Sequence, residues 1–495
     1  MKDLVRRILD ITEETITLEF KRLGPVEDKS DKVVAKTIET IVAMANTDGG
    51  VIIFGVDDPE KTKLKGLNRI FGIEENQENF DAIGREVQRI IPPIGDIWQP
   101  QRVKVEEVNK TIAILHISKA VLQFHMINHQ VFVRQLKGNK KLNPQEIVKF
   151  SYAKGFEKAD KELVDVDFDL LKTGYFENWK SARGFASNDL EKILFDSGLA
   201  RKNADGRLQP TRAAVMLFAN YPTNLMETKC AIRVFHYSGT SESFNEVPNL
   251  LGTPKTIDGP IIKAIKDAHE YVLTLLRSGI EIRSGFRTKY QIPDRAVKEA
   301  ITNAVIHRDY HIKRDIEINI FEDRISVSSP GLFPYNITVS NIGKVRADGY
   351  RNDLLVKHLR EFPDQPNLDR NEGVRAMRNE MSSSSLYDPI FTTYPTYEDM
   401  VMVTLLNEKR PGEWEKIKEY LLINRSITNI EARKITGMVQ VHEMSRLFKK
   451  WMSQGLLIKQ EETSKKFTKY KLPNDMDSNV VEKSVLFAND SANKK

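Results

Sequence analysis

Residues 17–23 read TLEFKRL, and this stretch decides how the first part of the chain folds. Apolar and polar side chains alternate here, which predicts a half-buried strand over residues 15–21. Glu19 and Lys21 then lie on the same face of that strand. The simplest interpretation is a solvated sheet face that carries an ion pair. The residues further along the chain favour a functional interpretation instead.

Length and composition define the class of protein. At 495 residues the chain is long enough for about three or four domains. Apolar residues make up 40% and charged residues 29%, which is ordinary for a globular protein, and no apolar run approaches the roughly 20 residues that cross a bilayer. Cys230 is the single cysteine, which excludes an internal disulfide. We expect a cytoplasmic protein with no membrane partner, since the N-terminus lacks the pattern of a secretory signal. The net charge of +6 is compatible with nucleic-acid binding.

The pattern of predicted elements divides the chain into five segments. We predict an α/β domain at 1–155, a helical connector and middle α/β region at 156–290, a further α/β domain at 291–407, a basic block of three helices and two strands at 408–475, and a flexible tail at 476–495.

Three acids of the first segment are candidates for one site. Asp58 follows the apolar strand GVIIFGV, and Glu14 and Glu19 flank the start of the predicted first strand. Three carboxylates form a suitable ligand set for Mg²⁺ or Mn²⁺, and Lys21 would steady a phosphate. The five-residue offset of Glu14 and Glu19 would place them on opposite faces of an uninterrupted strand, so their convergence requires a bend before Thr15.

The stretches EETITLEFKRL, ANTDGGVIIFGVDD and VFVRQLKGNKKLNPQEI together resemble the Schlafen AlbA-type domain, also labelled divergent AAA. The resemblance covers about 150 residues and implies nucleic-acid binding. In eukaryotic Schlafen proteins the domain resembles a metal-dependent endoribonuclease, whose acidic triad falls on Glu14, Glu19 and Asp58. The basic stretch supplies candidate nucleic-acid contacts at Arg134, Lys137, Lys140 and Lys141.

A competing metal pattern is HMINH, which contains His125 and His129. Four-residue spacing would bring both rings to one face of a helix, but the residues that follow are predicted to form a strand, and no third ligand lies nearby in sequence. We therefore expect no zinc site here.

The stretch AVKEAITNAVIHRDY predicts a second site. Its Glu299, Asn303 and His307 are spaced four apart and lie on one stripe of a helix that begins near Pro293. An acid four residues before an amide resembles the arrangement in GHKL-type (Bergerat) ATPases. The resemblance implies that Glu299 polarises the attacking water and that Asn303 binds the Mg²⁺ of ATP. No Walker A sequence occurs in the chain.

Residues 291–405 resemble the GHKL-like C-terminal ATPase region of proteins labelled helicase-like or transcriptional regulators, through EAITNAVIHRDY, IFEDRISVSSPGLFP, YRNDLLVKHL and RNEGVRAMRNEM. The resemblance implies ATP as a ligand, a homo-oligomer, and nucleotide loops at Gly331 and Gly373. The usual Asp-x-Gly-x-Gly box is replaced by SSPGLFP, so ATP binding is better supported than hydrolysis. Arg351 is either a phosphate clamp or an exposed structural arginine.

The block at 408–475 has the element order of a winged helix. Its third helix would bury Met444, Phe448 and Trp451 and present cations to a DNA groove. Protein docking is the alternative use of such a module. The candidate nucleic-acid contacts are Arg446, Lys449 and Lys450 on the helix and Lys465 and Lys466 on the wing.

The sequence thus predicts an α/β (α+β multidomain) protein with an AlbA-like mixed sheet domain, a GHKL-like α/β sandwich and a C-terminal winged helix. Two functions are compatible with it. The first is a Mg²⁺- or Mn²⁺-dependent endonuclease for RNA or DNA, regulated by ATP and suited to stress or phage defence. The second is an ATP-responsive DNA-binding transcriptional regulator without nuclease activity. Three acids beside phosphate would repel it, which modestly favours the nuclease.

Overall fold

A computed structural model of the protein describes residues 2–25, 31–94, 97–135, 138–226, 229–243, 249–278, 280–281, 287–288, 290–366, 373–424, 426–460 and 468–473. Four of the predictions fall outside these residues: the nucleic-acid contacts at Lys137, Lys465 and Lys466, and the tail at 476–495.

The chain is a mixed α/β protein of the α+β multidomain type, as predicted. It forms two compact units. Unit 1 comprises Met1–Val148, Thr338–Ser340 and Pro411–Lys495, and unit 2 comprises Lys149–Ile337 and Asn341–Arg410.

The first part of unit 1 is a four-stranded sheet with helices on its faces. Its sheet order is β1-β2-β4-β3, in which β1 and β2 are parallel and the other neighbours are antiparallel. The elements are α1 Lys2–Leu9, β1 Leu18–Lys21, α2 Asp31–Asn46, β2 Gly50–Phe54, α3 Gln77–Glu86, β3 Gln101–Val105, β4 Lys110–Ile117, β5 Phe132–Arg134 and β6 Asn139–Lys141. Helix α4, Pro144–Lys154, continues the chain into unit 2.

Strand β2 contributes to a hydrophobic core on each face of the sheet. All five of its residues are buried, and successive side chains point to opposite faces. Ile52 and Phe54 join the core formed with α2 and α3, whereas Val51 and Ile53 join the core formed with α1. The apolar run GVIIF thus predicts a central strand correctly.

Strand β1 differs from the prediction, because it begins at Leu18 and not at residue 15. Residues Thr15 to Leu18 form a tight reversal in which the two residues exchange backbone hydrogen bonds of 3.0 and 3.4 Å. The bend required by the Glu14–Glu19 offset is therefore present. Glu19 is buried, so the simple interpretation of a solvated sheet face is wrong.

The second part of unit 1 contains three helices and a three-stranded sheet of order β17-β19-β18. Trp414 and Trp451 pack with ring centroids 5.0 Å apart in its core. The elements are α13 Gly412–Asn424, β17 Ile427–Thr428, α14 Asn429–Thr436, α15 Val441–Ser453, β18 Ile458–Lys459 and β19 Lys469–Lys471.

Unit 2 is built on a six-stranded sheet of order β10-β9-β13-β14-β16-β15, in which only the β9–β13 pair is parallel. The elements that follow α4 are α5 Gly174–Ala182, α6 Leu190–Asp196, β7 Ala200–Lys202, β8 Leu208–Pro210, α7 Arg212–Phe218, α8 Pro222–Leu225, β9 Ile232–His236, β10 Lys255–Ile257, α9 Ile261–Ser278, β11 Ile280–Glu281, β12 Arg287–Thr288, α10 Asp294–His307, β13 Ile316–Ile320, β14 Arg324–Pro330, α11 Asp353–Leu359, α12 Gly373–Ser383, β15 Ile390–Thr392 and β16 Met400–Leu406.

The sheet of unit 2 combines strands from two predicted segments. Strands β9 and β10 come from the region 156–290, and the other four come from the region 291–407. The part of the chain interpreted as a connector is also folded into this unit, because Phe176 and Trp179 of α5 are buried in its core. Both segments therefore contribute to one hydrophobic core.

Candidate functional site

The Thr15–Leu18 reversal brings Glu14 back alongside β1. One oxygen of its carboxylate, Oε1, accepts a hydrogen bond of 2.8 Å from the backbone N–H of Phe20. An extended chain would have placed Glu14 on the opposite face from Glu19. The reversal removes that obstacle, so the two acids share one neighbourhood.

Glu19 is held by cations of the protein itself. Its Oε2 lies 2.8 Å from Nη1 of Arg134, and its Oε1 lies 3.1 Å from Nζ of Lys21. Arg134 is only 3% exposed and also donates to Asn139 and to the backbone oxygen of Thr15. This geometry contradicts the prediction that Arg134 contacts nucleic acid, because its guanidinium is the buried counter-ion of Glu19.

Asp58 lies just beyond β2 and is 7% exposed. It accepts hydrogen bonds from the backbone N–H of Glu60 at 3.0 Å and from Nζ of Lys61 at 2.6 Å. The side chain of Lys61 is 79% exposed, so this ion pair faces solvent on the lysine side.

The three acids affect one another electrostatically. Burial raises the pKa of the Glu14 carboxyl to about 7, and the charges of Glu19 and Asp58 act in the same direction, against the hydrogen bond from Phe20. The side-chain hydrogen bond with Asp58 raises the pKa of Lys61, and the charges of Glu14 and Glu19 contribute. The acids predicted to converge are therefore within electrostatic range of each other.

The acidic site does not fit a divalent cation in this arrangement. Lys21, Arg134 and Lys61 occupy carboxylate oxygens of Glu19 and Asp58 that would have to bind the metal. Across the described ranges, no group of three or more His, Cys, Asp or Glu side chains is arranged to hold a metal ion. His125, from the competing pattern HMINH, instead places its Nδ1 within 2.8 Å of the backbone oxygen of Pro92.

The β5–β6 hairpin carries two of the other basic residues predicted to bind nucleic acid. Lys140 pairs with Glu146 at 2.7 Å, and Lys141 is exposed. The hairpin thus offers Lys141 to solvent, while Lys140 is engaged within unit 1.

In unit 2, helix α10 presents the predicted stripe. Pro293 lies at the N-cap position, and Val297 and Ile301 bury the opposite side of the helix in the core. Glu299 is 3% exposed, and burial raises the pKa of its carboxyl. The charges of Arg295 and Lys298 oppose this rise, but among the described residues Glu299 forms no ion pair, in contrast to Glu19.

A pocket of about 970 Å³, including its open mouth, lies beside this stripe. Asn303, His307, Gly331 and Gly373 all line it, so four of the five predicted ATP-binding residues meet at one cavity. Glu299 adjoins the cavity, because a Cβ atom added to Gly373 would lie 2.7 Å from its Oε2. We call this cavity the α10 pocket.

Within the described residues, two polar atoms of the α10 pocket have no hydrogen-bond partner: Nδ2 of Asn303 and Nδ1 of His307. Burial, aided by the charge of Arg351, lowers the pKa of His307 to about 4, so its imidazole is neutral at physiological pH. Buried polar atoms without hydrogen-bond partners are rare in folded proteins, so these two atoms indicate that a ligand binds in the pocket. The N-terminus of α12 at Gly373 also lies beside Asn303, and helix N-termini favour phosphates. The donor set therefore fits a nucleotide.

Much of the lining of the α10 pocket was not predicted. Val374 and Met377 of α12, together with Ile337, Ile342 and Val345, supply an apolar wall. The spacing of Val374, Met377 and Met381 on one face of a helix was the available signal, since this period indicates a buried stripe. Apolar walls with a few convergent polar groups are typical of small-molecule sites.

Helix α15 of unit 1 separates apolar and basic faces. Met444, Phe448 and Trp451 are buried, and Arg446, Lys449 and Lys450 are exposed. Exposed cations on one helix face are suited to contact with phosphates.

Two segments of the chain match known protein families. Residues 14–143 match the family model described as "Schlafen, AlbA_2", and residues 313–405 match the one described as "Putative ATP-dependent DNA helicase recG C-terminal". The second match contains Gly331 and Gly373 but begins after α10.

Two segments of the chain are thus similar to these two families, as the sequence resemblances predicted. No curated protein matches the chain. Among solved structures, the DIP2311 protein from Corynebacterium diphtheriae aligns over 94% of this chain and 80% of its own, with 17% identity and a TM-score of 0.38. Within the described residues, no helix is long and apolar enough to cross a membrane.

Proposed function

We propose that this protein binds ATP in the α10 pocket and binds nucleic acid in a manner that depends on the nucleotide. The observation that carries the proposal is the convergence of Asn303, His307, Gly331 and Gly373 on one pocket with two unpartnered polar atoms. The match of residues 313–405 to an ATPase family and of residues 14–143 to the Schlafen AlbA_2 family supports it.

The two ligands would use different parts of the chain. Asn303 would hold the Mg²⁺ that accompanies ATP, and the N-terminus of α12 would face phosphate oxygens. Arg446, Lys449 and Lys450 of α15, within a winged helix at 408–475, would contact the phosphates of duplex DNA, with Lys141 as a further contact. Of the two functions compatible with the sequence, this is the ATP-responsive DNA-binding regulator. The geometry supports it better, because the acidic site is neutralised by the protein's own cations.

The direct test measures both ligands. The purified chain is titrated with ATP and Mg²⁺ by calorimetry, and its affinity for labelled duplex DNA and for structured RNA is measured with and without ATP. We expect ATP binding and an affinity for duplex DNA that changes with ATP. Absence of ATP binding in the presence of Mg²⁺ would refute the proposal.

A nuclease is the second candidate, and one observation favours it. The pKa of about 7 of Glu14, raised by burial and then by Glu19 and Asp58, suits a group that exchanges a proton near neutral pH. Glu14, Glu19, Asp58 and Lys21 would then form the catalytic set, and cleavage in stress or phage defence would be its role. Binding of Mg²⁺ or Mn²⁺ would require Arg134 and the lysines to release the carboxylates.

Cleavage assays distinguish the two candidates. Labelled tRNA, single-stranded DNA and duplex DNA are incubated with the protein and Mg²⁺ or Mn²⁺, with and without ATP. The matched variant is Glu14→Gln, which keeps the hydrogen bond from Phe20 and removes the titratable carboxyl. Cleavage by the native protein and none by the variant would establish the nuclease. Binding without cleavage by both would leave the regulator.

The predicted homo-oligomer and cytoplasmic location remain proposals. Light scattering with and without ATP would test whether nucleotide binding drives self-association.

A further inference from the structure

Arg351 is neither the phosphate clamp nor the exposed arginine considered from the sequence. It is 2% exposed, and its guanidinium donates hydrogen bonds of 2.5 Å to three backbone oxygens, those of Tyr152, Ala153 and Leu332. The carboxylate of Asp309 lies 4.0 Å away. A buried cation satisfied mainly by carbonyl groups fixes the chain segments that supply them.

Those segments are the last turn of α4 and the wall of the α10 pocket. Gly331, Leu332 and Pro334 line the pocket. The backbone N–H of Leu332 donates a hydrogen bond of 2.9 Å to the backbone oxygen of Ala153. A Cβ atom added to Gly331 would lie 3.2 Å from Nη2 of Arg351. The pocket wall and the end of α4 are therefore joined by direct hydrogen bonds.

A second contact joins the same elements. The ring of Tyr152 stacks on His311 with centroids 3.7 Å apart, and His311 is held between Asp309 at 2.9 Å and Glu162 at 2.7 Å. This stack fixes the side chain of Tyr152, while Arg351 fixes its carbonyl group.

The neighbour of Arg351 extends the connection into the pocket. The ring of Tyr350 lies parallel to that of His307, with centroids 5.7 Å apart, and His307 lines the α10 pocket. The backbone oxygen of Tyr350 accepts a hydrogen bond of 3.1 Å from Lys158, which follows α4 in the chain. A ligand that moves His307 or the Gly331–Pro334 wall would therefore act on groups that hold the end of α4.

We propose that Arg351 is the positioning residue through which ATP in the α10 pocket sets the position of the last turn of α4, and thereby the nucleic-acid affinity of the segment that precedes this helix. The inference rests on the proposed function. Because a buried guanidinium that loses its carbonyl partners is strongly disfavoured, the pocket wall and the helix end move together and not independently. Coupling between two sites requires a continuous connection of this kind, made of packed and hydrogen-bonded groups.

The experiment measures coupling separately from binding. The affinity of a fluorescent ATP analogue, and the affinities for labelled duplex DNA and structured RNA with and without ATP, are determined for the native chain, for Arg351→Gln and for Arg207→Gln. Arg207 is an exposed arginine of the same unit outside this network and serves as the control. Far-UV circular dichroism and thermal unfolding report whether each variant is folded.

We expect ATP to change the nucleic-acid affinity of the native chain and of Arg207→Gln by at least about fivefold. In Arg351→Gln the ATP affinity should stay within about threefold of native, while the effect of ATP on nucleic-acid affinity disappears. A merely structural arginine would leave that effect intact once the variant is folded. If Arg351→Gln does not fold, the same affinities are measured for Arg351→Lys, and the effect of ATP on nucleic-acid affinity should again disappear. The lysine ammonium keeps the charge but lacks the planar guanidinium that reaches three carbonyl groups.

The outcomes separate the inference from the function on which it rests. No ATP binding by the native chain would overturn the proposed function. ATP and nucleic-acid binding by the native chain without coupling would overturn the nucleotide dependence in the proposed function, and the role of Arg351 with it. Full coupling in the folded Arg351 variant would overturn only the role of Arg351.

Discussion

The acidic site of unit 1 and the α10 pocket of unit 2 each contain a buried glutamate, but the two carboxylates have different surroundings. Glu19 is paired with Arg134 and Lys21. Burial raises the pKa of Glu299, which lies beside Asn303, and the amide nitrogen of Asn303 has no hydrogen-bond partner among the described residues. The first site is internally neutralised, and the second keeps unused hydrogen-bonding capacity. Acidic residues at family positions therefore do not by themselves indicate a site ready for a ligand; their partners must be examined.

The largest expected effect tests the neutralisation of Glu19. Glu19→Ala removes the acid facing Arg134 and leaves a buried guanidinium without its charge partner, which typically costs about 3–5 kcal/mol in the free energy of unfolding. Urea unfolding of the native chain and the variant measures this cost. Glu60→Ala, at an exposed position of the same unit, should change stability by less than about 0.5 kcal/mol. A cost below about 1 kcal/mol for Glu19→Ala would mean that the ion pair is dispensable and that the acid is available to a metal.

The next effect concerns the α10 pocket. Gly373→Ala would place a methyl group 2.7 Å from Oε2 of Glu299 and 3.2 Å from Nδ2 of Asn303. We expect ATP affinity to fall at least tenfold, about 1.4 kcal/mol, as the methyl group displaces both side chains. Gly174→Ala is the matched control, because Gly174 also begins a helix of unit 2 and has open space around its Cβ position. Equal ATP affinity in both variants would place the nucleotide elsewhere.

A smaller effect concerns the pH dependence of stability. The pKa of Glu14 is about 7 in the folded protein, above its ordinary value of 4.5, so the folded state favours the protonated carboxyl. Its contribution to stability is therefore present below pH 4.5 and is lost as the pH rises through 7. Between pH 5 and pH 8 the native chain should lose on the order of 1 kcal/mol more stability than Glu14→Gln, after allowance for partial exposure.

Urea unfolding at the two pH values measures the difference. Parallel pH dependence in the native chain and in Glu14→Gln would show that the pKa of Glu14 is not raised by folding, and would weaken the nuclease candidate.

The smallest effect extends the comparison to an exposed cation. Unlike Arg134, Lys449 is exposed on α15, so Lys449→Ala should leave folding unchanged and weaken binding to duplex DNA roughly threefold, as expected for a contact worth under about 1 kcal/mol. The slope of log affinity against log salt should decrease by about 1. Lys172→Ala, an exposed lysine of unit 2, controls for the change in net charge. An unchanged slope would indicate that α15 does not contact the phosphates.

Periodic patterns in the sequence predicted the main helices and strands. The sites were harder to predict, because they depend on contacts between residues that are far apart in the sequence. The stripe of Glu299, Asn303 and His307 is on α10 as expected, because a helical period fixes which residues share a face. The ion pair of Glu19 and Arg134 joins residues 115 positions apart, and no local pattern indicates it. The reversal before Leu18 depends on backbone hydrogen bonds that alternation of side chains does not reveal.

The residues around α5, in the predicted connector and middle region at 156–290, gave no signal of their packing for a related reason. Their charged composition concealed Phe176 and Trp179, which are spaced three apart and are buried together in the core of unit 2. Two apolar side chains in a charged stretch are too few for a periodic signal, although they contribute large buried surfaces.

The hydrogen bond from Phe20 to Glu14 has a consequence for solubility. Strand β1 lies at one end of its sheet, and the outward backbone groups of such an edge strand can pair with a strand of another molecule. The carboxylate of Glu14 occupies the N–H of Phe20, and the Thr15–Leu18 reversal shortens the open edge to the four residues of β1. An edge that is short and has this N–H already occupied discourages intermolecular strand pairing, so the residue that arranges the acidic site also disfavours aggregation through the sheet edge.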